Sequence, residues 1–160
     1  MKSNRYPITF CILAMLMSHS PTTAQADGPL PTFTFQRVAL HPKDLRYAPT
    51  DQLIHPTIIK TEGRIENPLA KYYMYYAPHK HIATSMAYAD SLDGPWVEYQ
   101  GNPVIKGPSA PDIRWIEEKS KFFMWGHRKN SQTELWTSED GLHFEYHGVS
   151  VKGFFATFSG

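Results

Sequence analysis

The sequence predicts an all-β fold built from repeated four-stranded antiparallel sheets. Three observations predict it: the chain matches itself at a nearly constant offset, each copy holds four short apolar or aromatic runs of strand length, and no stretch after residue 26 shows useful helical periodicity. KYYMYY at 71–76 returns as KFFMWG at 121–126, and SLDGPWVEYQG at 91–101 returns as SEDGLHFEYHG at 138–148. The offsets, about 50 and about 47, differ by a short loop deletion.

Taken in order, residues 1–26 read as a secretory signal peptide. Lys2 and Arg5 precede an apolar run, 8–17, that is too short to span a bilayer, and Ala24-Gln25-Ala26 is a small-x-small cleavage site. The expected destination is the periplasm or the outside. No later stretch approaches a membrane-spanning length, so no membrane insertion is expected once the signal is removed. The only cysteine, Cys11, lies inside the signal, which leaves 27–160 without a thiol for a disulfide, a zinc-thiolate site or a nucleophile. Of 16 basic and 15 acidic residues, 27–160 keeps 14 and 15, which removes the electrostatic case for nucleic acid or an anionic membrane.

The first copy, 54–105, predicts strands over 56–60, 71–77, 83–89 and 96–100. The second, 109–151, predicts strands over 112–116, 121–127, 133–138 and 143–147. Asp93-Gly94 and Asp140-Gly141 separate the third strand from the fourth in each copy, a strong tight-turn signal, so both aspartates read as turn formers. Tyr72, Tyr73, Tyr75, Tyr76, Phe122, Phe123 and Trp125 recur between copies and are assigned to packing. Four antiparallel strands repeating every 40 to 50 residues are the signature of a β-propeller blade; a β-sandwich with look-alike hairpins is the alternative. Closure of a propeller takes four to eight blades, so 27–160 is expected to be the N-terminal part of such a domain. Two blades are followed by an apolar start of a third in VKGFFATFSG.

HPTIIKTEGRIENPLAKYYMYYAPHK, ADSLDGPWVEYQGNPVI and SAPDIRWIEEKSKFFMWG together resemble the first two blades of five-bladed propeller glycoside hydrolases, the arabinanase and β-xylosidase type of family 43 and its relatives. The resemblance covers about residues 50–150, mostly blade framework. It implies an inverting glycosidase with three acids in a central funnel: a base at the start of the first blade, a pKa-tuning acid in the second, and a general acid from the third, beyond residue 160. Asp112 in Ala110-Pro111-Asp112-Ile113 matches the second acid. Where the family pattern has aspartate before proline, this chain has His55-Pro56; Asp51, four residues upstream, substitutes only if its loop folds back. Imidazole serves as a base near neutral pH.

Other candidates come from the residues themselves. Asp112 after a proline is also a common turn use of aspartate. His79 and His81, two apart, would turn both rings to one side of an extended strand, a spacing suited to gripping hydroxyls or a metal, although no third ligand is identifiable. His127 and Arg128 stand where the first copy has Ala77 and Pro78, and departure from a repeat is where a site is expected. Trp115 offers a face for a sugar ring, or a plane for packing between sheets. The expected partner is an oligosaccharide or polysaccharide of plant or algal origin. No cofactor is required, and a calcium ion in the central channel is compatible with the resemblance. Two other functions stay open: a non-catalytic carbohydrate-binding propeller, favoured by His55 in place of aspartate, and a polysaccharide lyase using histidine and arginine.

Overall fold

The computed structural model describes residues 32–79, 81–129 and 131–152. By its contacts the chain divides into Met1–Phe35 and Gln36–Gly160. In the first unit only residues 32–35 are described, without regular secondary structure; every strand belongs to the second. The signal segment and the tail after Lys152 lie outside the described residues.

The second unit is all-β with antiparallel pairing throughout. One sheet holds β1 (Leu53–Lys60), β2 (Tyr72–Pro78) and β3 (Ala83–Ala89) in order, with β4 (Val97–Glu98) and β5 (Ile105–Lys106) sharing the far side of β3. The second sheet runs β6 (Ser109–Ile116), β7 (Lys121–Arg128), β8 (Gln132–Ser138), β9 (Glu145–Lys152). All eight expected strands are present. The first strand of each copy begins three residues earlier than expected, and the two fourth strands differ most, for local reasons.

The fourth strand of the first copy is broken in two. The Asn102 carboxamide accepts the Met86 N–H at 2.8 Å and donates to the Met86 carbonyl at 2.9 Å, occupying the ladder positions that a continuous strand would use. In the second copy the strand starts two residues late. The Asp140 carboxylate accepts the N–H groups of Leu142 and His143, both at 2.8 Å, and holds them in a turn. It then runs on to Lys152, so Val151 and Lys152 end the second sheet instead of starting a third.

The repeat is three-dimensional down to its irregularities. In β1, His55 and Pro56 together oppose one residue of β2, Tyr76; in β6, Ala110 and Pro111 together oppose one residue of β7, Gly126. Each is a β-bulge whose extra residue is left-handed and precedes a proline: His55 (φ 52°) before Pro56, Ala110 (φ 51°) before Pro111. His55 and Ala110 are thus equivalent, as are Thr57 and Asp112, and Ala77 and His127.

Alternation along β2 defines two faces of the first sheet. Tyr73 and Tyr75, with Ile59 and Met86, form its front; Met74 and Tyr76, with Ala87 and Ala89, form its back. The second sheet packs on the front of the first, and it does so with its own back: Phe122 and Met124, equivalents of Tyr72 and Met74, join Ile113 in the core with Tyr73, Tyr75 and Met86. The aromatic pairs that look uniform in sequence therefore divide between faces. The back of the first sheet is covered by the segment before β1, through Leu40 and Leu45, together with Leu53 of β1 and Trp96. Glu98 anchors that segment by accepting the N–H groups of Tyr47 at 3.0 Å and Ala48 at 2.7 Å. Between the sheets, the Tyr75 hydroxyl donates to the Gly141 carbonyl at 2.7 Å.

Candidate functional site

The bulge in β6 starts from Ser109, which pairs with His127 of β7, while Asp112 pairs with Trp125. Cross-strand partners share a face, so Ser109, His127, Asp112 and Trp125 all lie on the front of the second sheet. On β8, Thr133 pairs with His127 and Leu135 with Trp125. The front thus has a polar row, Ser109–His127–Thr133, at the bulge end and a row with an apolar centre, Asp112–Trp125–Leu135, beside it. Ile54 and Ala77, equivalents of Ser109 and His127, are apolar.

The Ser109 Oγ lies 3.1 Å from His127 Nε2. Burial lowers the His127 pKa, and the His55 imidazole, felt from β1, lowers it further. The structure therefore brings His55 and His127 within electrostatic reach of each other. Asp112 is 18% exposed in its side chain, and Arg114 Nη2 lies 3.5 Å from its Oδ2. Arg114 is the next residue on the same face of β6, a partner that period-2 counting from Asp112 finds but that no motif in the sequence singles out.

The remaining candidates are placed elsewhere. Arg128 alternates with His127 and so lies on the back, where its Nη2 donates to Glu134 Oε2 at 3.0 Å and its Nε to the other carboxylate oxygen. Glu134, 2% exposed, also accepts from Gln132 at 2.9 Å and from the Trp136 indole at 3.3 Å. Burial pushes the Glu134 pKa up, and these donors together outweigh it and lower the value. Arg128 and Glu134 form a structural clamp, and the guanidinium fills the space that a Cβ on Gly107 would need. Trp115 is on the back as well, edge to face with Phe122 at 4.9 Å, within the packing between the sheets.

His79 and His81 fall in the turn between β2 and β3, where the His81 N–H bonds the Pro78 carbonyl at 3.1 Å, so strand alternation does not apply to them. Their surroundings differ. The His79 Nδ1 lies 3.9 Å from Asp51, whereas His81 lines a cavity of about 440 Å³ with Tyr47, Pro49, Ser85 and Pro103. Among the described residues, no group of three or more acidic, histidine or cysteine side chains is arranged to hold a metal, and no helix is long and apolar enough to cross a membrane.

Fold and site together define an all-β protein of two stacked antiparallel sheets, with two histidines, a serine and an arginine-paired aspartate gathered at one end. No family model matches the chain, and no curated protein matches it.

Proposed function

We propose that this chain is the N-terminal part of a secreted, propeller-type carbohydrate-active protein of the glycoside hydrolase kind, with Asp112 as a site carboxylate and His55 in the position of the base. One observation carries the reading: the sheets stack front to back. A sandwich buries like faces against each other, whereas here the front of one sheet receives the back of the next, the relation by which propeller blades succeed one another. Front-to-back stacking leaves the Phe123 and Trp125 side of the second sheet in the place that a further blade would cover. Repetition also brings the bulged starts of β1 and β6 side by side, which supports a shared cavity lined by His55, Asp112 and His127.

Chemically, an inverting hydrolase needs a group to deprotonate water and a carboxylic acid to protonate the leaving oxygen. His55 stands where the base is expected, Asp112 beside Arg114 tunes and orients the acid, and that acid comes from outside the described residues. A non-catalytic binding propeller is the second reading; the absence of a carboxylate at the β1 bulge favours it.

Release of reducing ends from arabino- and xylo-oligosaccharides tests the enzyme reading. Asp112→Asn is expected to lower turnover at least ~100-fold with an unchanged circular dichroism spectrum. Undiminished turnover in that variant would return Asp112 to a turn role, and a product absorbing in the ultraviolet would identify a lyase instead.

A further inference from the structure

We infer that the His55–Ser109–His127 rim binds the anionic group of an acidic saccharide, a carboxylate or a sulfate ester. The inference rests on the carbohydrate-active reading but not on His55 acting as a base.

Geometry supports it in three ways. His55 is held in a left-handed backbone conformation that only glycine and a few polar residues adopt readily, at a bulge whose counterpart in the second sheet carries Ala110. Histidine is among the residues that adopt that conformation more readily than alanine does, so the two equivalent bulges share a backbone and differ in carrying an imidazole at one and a methyl at the other. Next, His127 replaces the alanine of the first sheet and is joined to Ser109. Finally, the carboxylate beside this row, Asp112, has Arg114 next to it, so it does not cancel the positive charge that both imidazoles carry when protonated.

Two imidazoles within reach of each other resist joint protonation, and an anion between them removes the penalty. The serine adds a donor. With His127 neutral and Nε2 unprotonated, the Ser109 hydroxyl donates to the ring; once Nε2 carries a proton, Ser109 accepts from it and turns its own O–H toward a ligand. Protonation therefore creates both charge and hydrogen-bond donors at one place. Of the titratable groups, the His55 imidazole of β1 acts on His127; Asp112 and Arg114 share the front of the neighbouring β6, β8 presents Thr133 opposite His127, and Glu134 and Arg128 lie on the back.

The test is calorimetric titration of the protein with trigalacturonate, a sulfated disaccharide of the carrageenan type and xylotriose, at about pH 5.5 and about pH 8, on either side of the ordinary imidazole value. At least one acidic probe is expected to bind about 10-fold tighter at the lower pH, with proton uptake seen as a buffer-dependent enthalpy, while xylotriose shows no such dependence. Trigalacturonate and the sulfated sugar distinguish the two anionic groups. His55→Asn, which tolerates the left-handed backbone, and His127→Gln are each expected to abolish the pH dependence. Equal affinity for acidic and neutral sugars at both pH values, or an acid preference that survives both substitutions, overturns the inference and leaves the carbohydrate reading standing. Failure of every saccharide to bind overturns both.

Discussion

Asp140 shows how one side chain decides a local structure. It accepts four hydrogen bonds: from the Ser138 hydroxyl at 3.0 Å, from the N–H groups of Leu142 and His143, and from the His143 ring at 2.6 Å. Burial pushes its pKa up, but the His143 side chain and the backbone donors overcome this and bring it down to about 2. A lowered carboxylate pKa contributes stability that is complete above the ordinary value of 3.8 and is lost as the pH falls toward 2. Asp140 keeps 42% of its side chain exposed, so solvent screening reduces the effect, and Asp140→Asn is expected to destabilise by about 1 kcal/mol at neutral pH, with the gap from wild type closing between pH 4 and 2 in urea titrations. His127 works in the same direction at higher pH. Its folded value lies below the ordinary 6.5, so its contribution is present above 6.5 and is lost as the pH falls below it. The turn role of Asp140 was legible in the sequence because Asp-Gly is a local signal. The partner of Asp112 was legible only by counting two along the strand, because no motif in the sequence singles Arg114 out.

At the level of elements, the contact between the sheets depends on a turn and a strand approaching closely. Gly141 has φ +73°, and a Cβ there would stand 2.6 Å from the Tyr75 hydroxyl oxygen. Gly141→Ala is expected to cost about 2 kcal/mol or more, from left-handed strain plus the clash. Tyr75→Phe is expected to cost about 1 kcal/mol, from the lost hydrogen bond to Gly141. Removing the hydroxyl also removes the atom that the new methyl would strike. The double variant should therefore be less destabilised than the two single costs added, and a double-mutant cycle in urea measures this. Near the start of β8, Glu134→Ala leaves Arg128, Gln132 and Trp136 without their common acceptor. The expected loss is about 3 kcal/mol, at the lower end for a broken buried pair because Arg128 keeps a wet side. Strand positions were read from period and composition, but the Asn102 break in the fourth strand depends on its carboxamide reaching Met86, a contact no local pattern announces.

For the whole molecule, one core serves both sheets, so neither is expected to unfold alone. Phe122 and Met124 come from the second sheet, yet they are fully buried beside Tyr73, Tyr75 and Met86 of the first. Phe122→Ala is expected to cost about 3–5 kcal/mol. Amide exchange should then speed up in β2 and β3 as much as in β7 and β8; protection retained in one sheet alone would show two independent units. The arrangement of front on back also bears on the candidate site, because it sets Asp112 and His127 on the side of the second sheet away from the first, while Trp115 packs between the sheets and Arg128 pairs with Glu134.

The sequence by itself determined that the protein is all-β, that its sheets repeat, where the strands lie and where Asp-Gly turns them, because these depend on period, composition and turn chemistry within a few residues. The tertiary structure decided which side each aromatic occupies, that the back of one sheet meets the front of the other, that His79 and His81 fall in a turn with different surroundings, that Ser109 joins His127, and that His55 comes within electrostatic reach of His127. Those outcomes depend on register and on bulges: a single extra residue in β1 and in β6 changes which side chains share a surface, and only pairing with a distant strand reveals it.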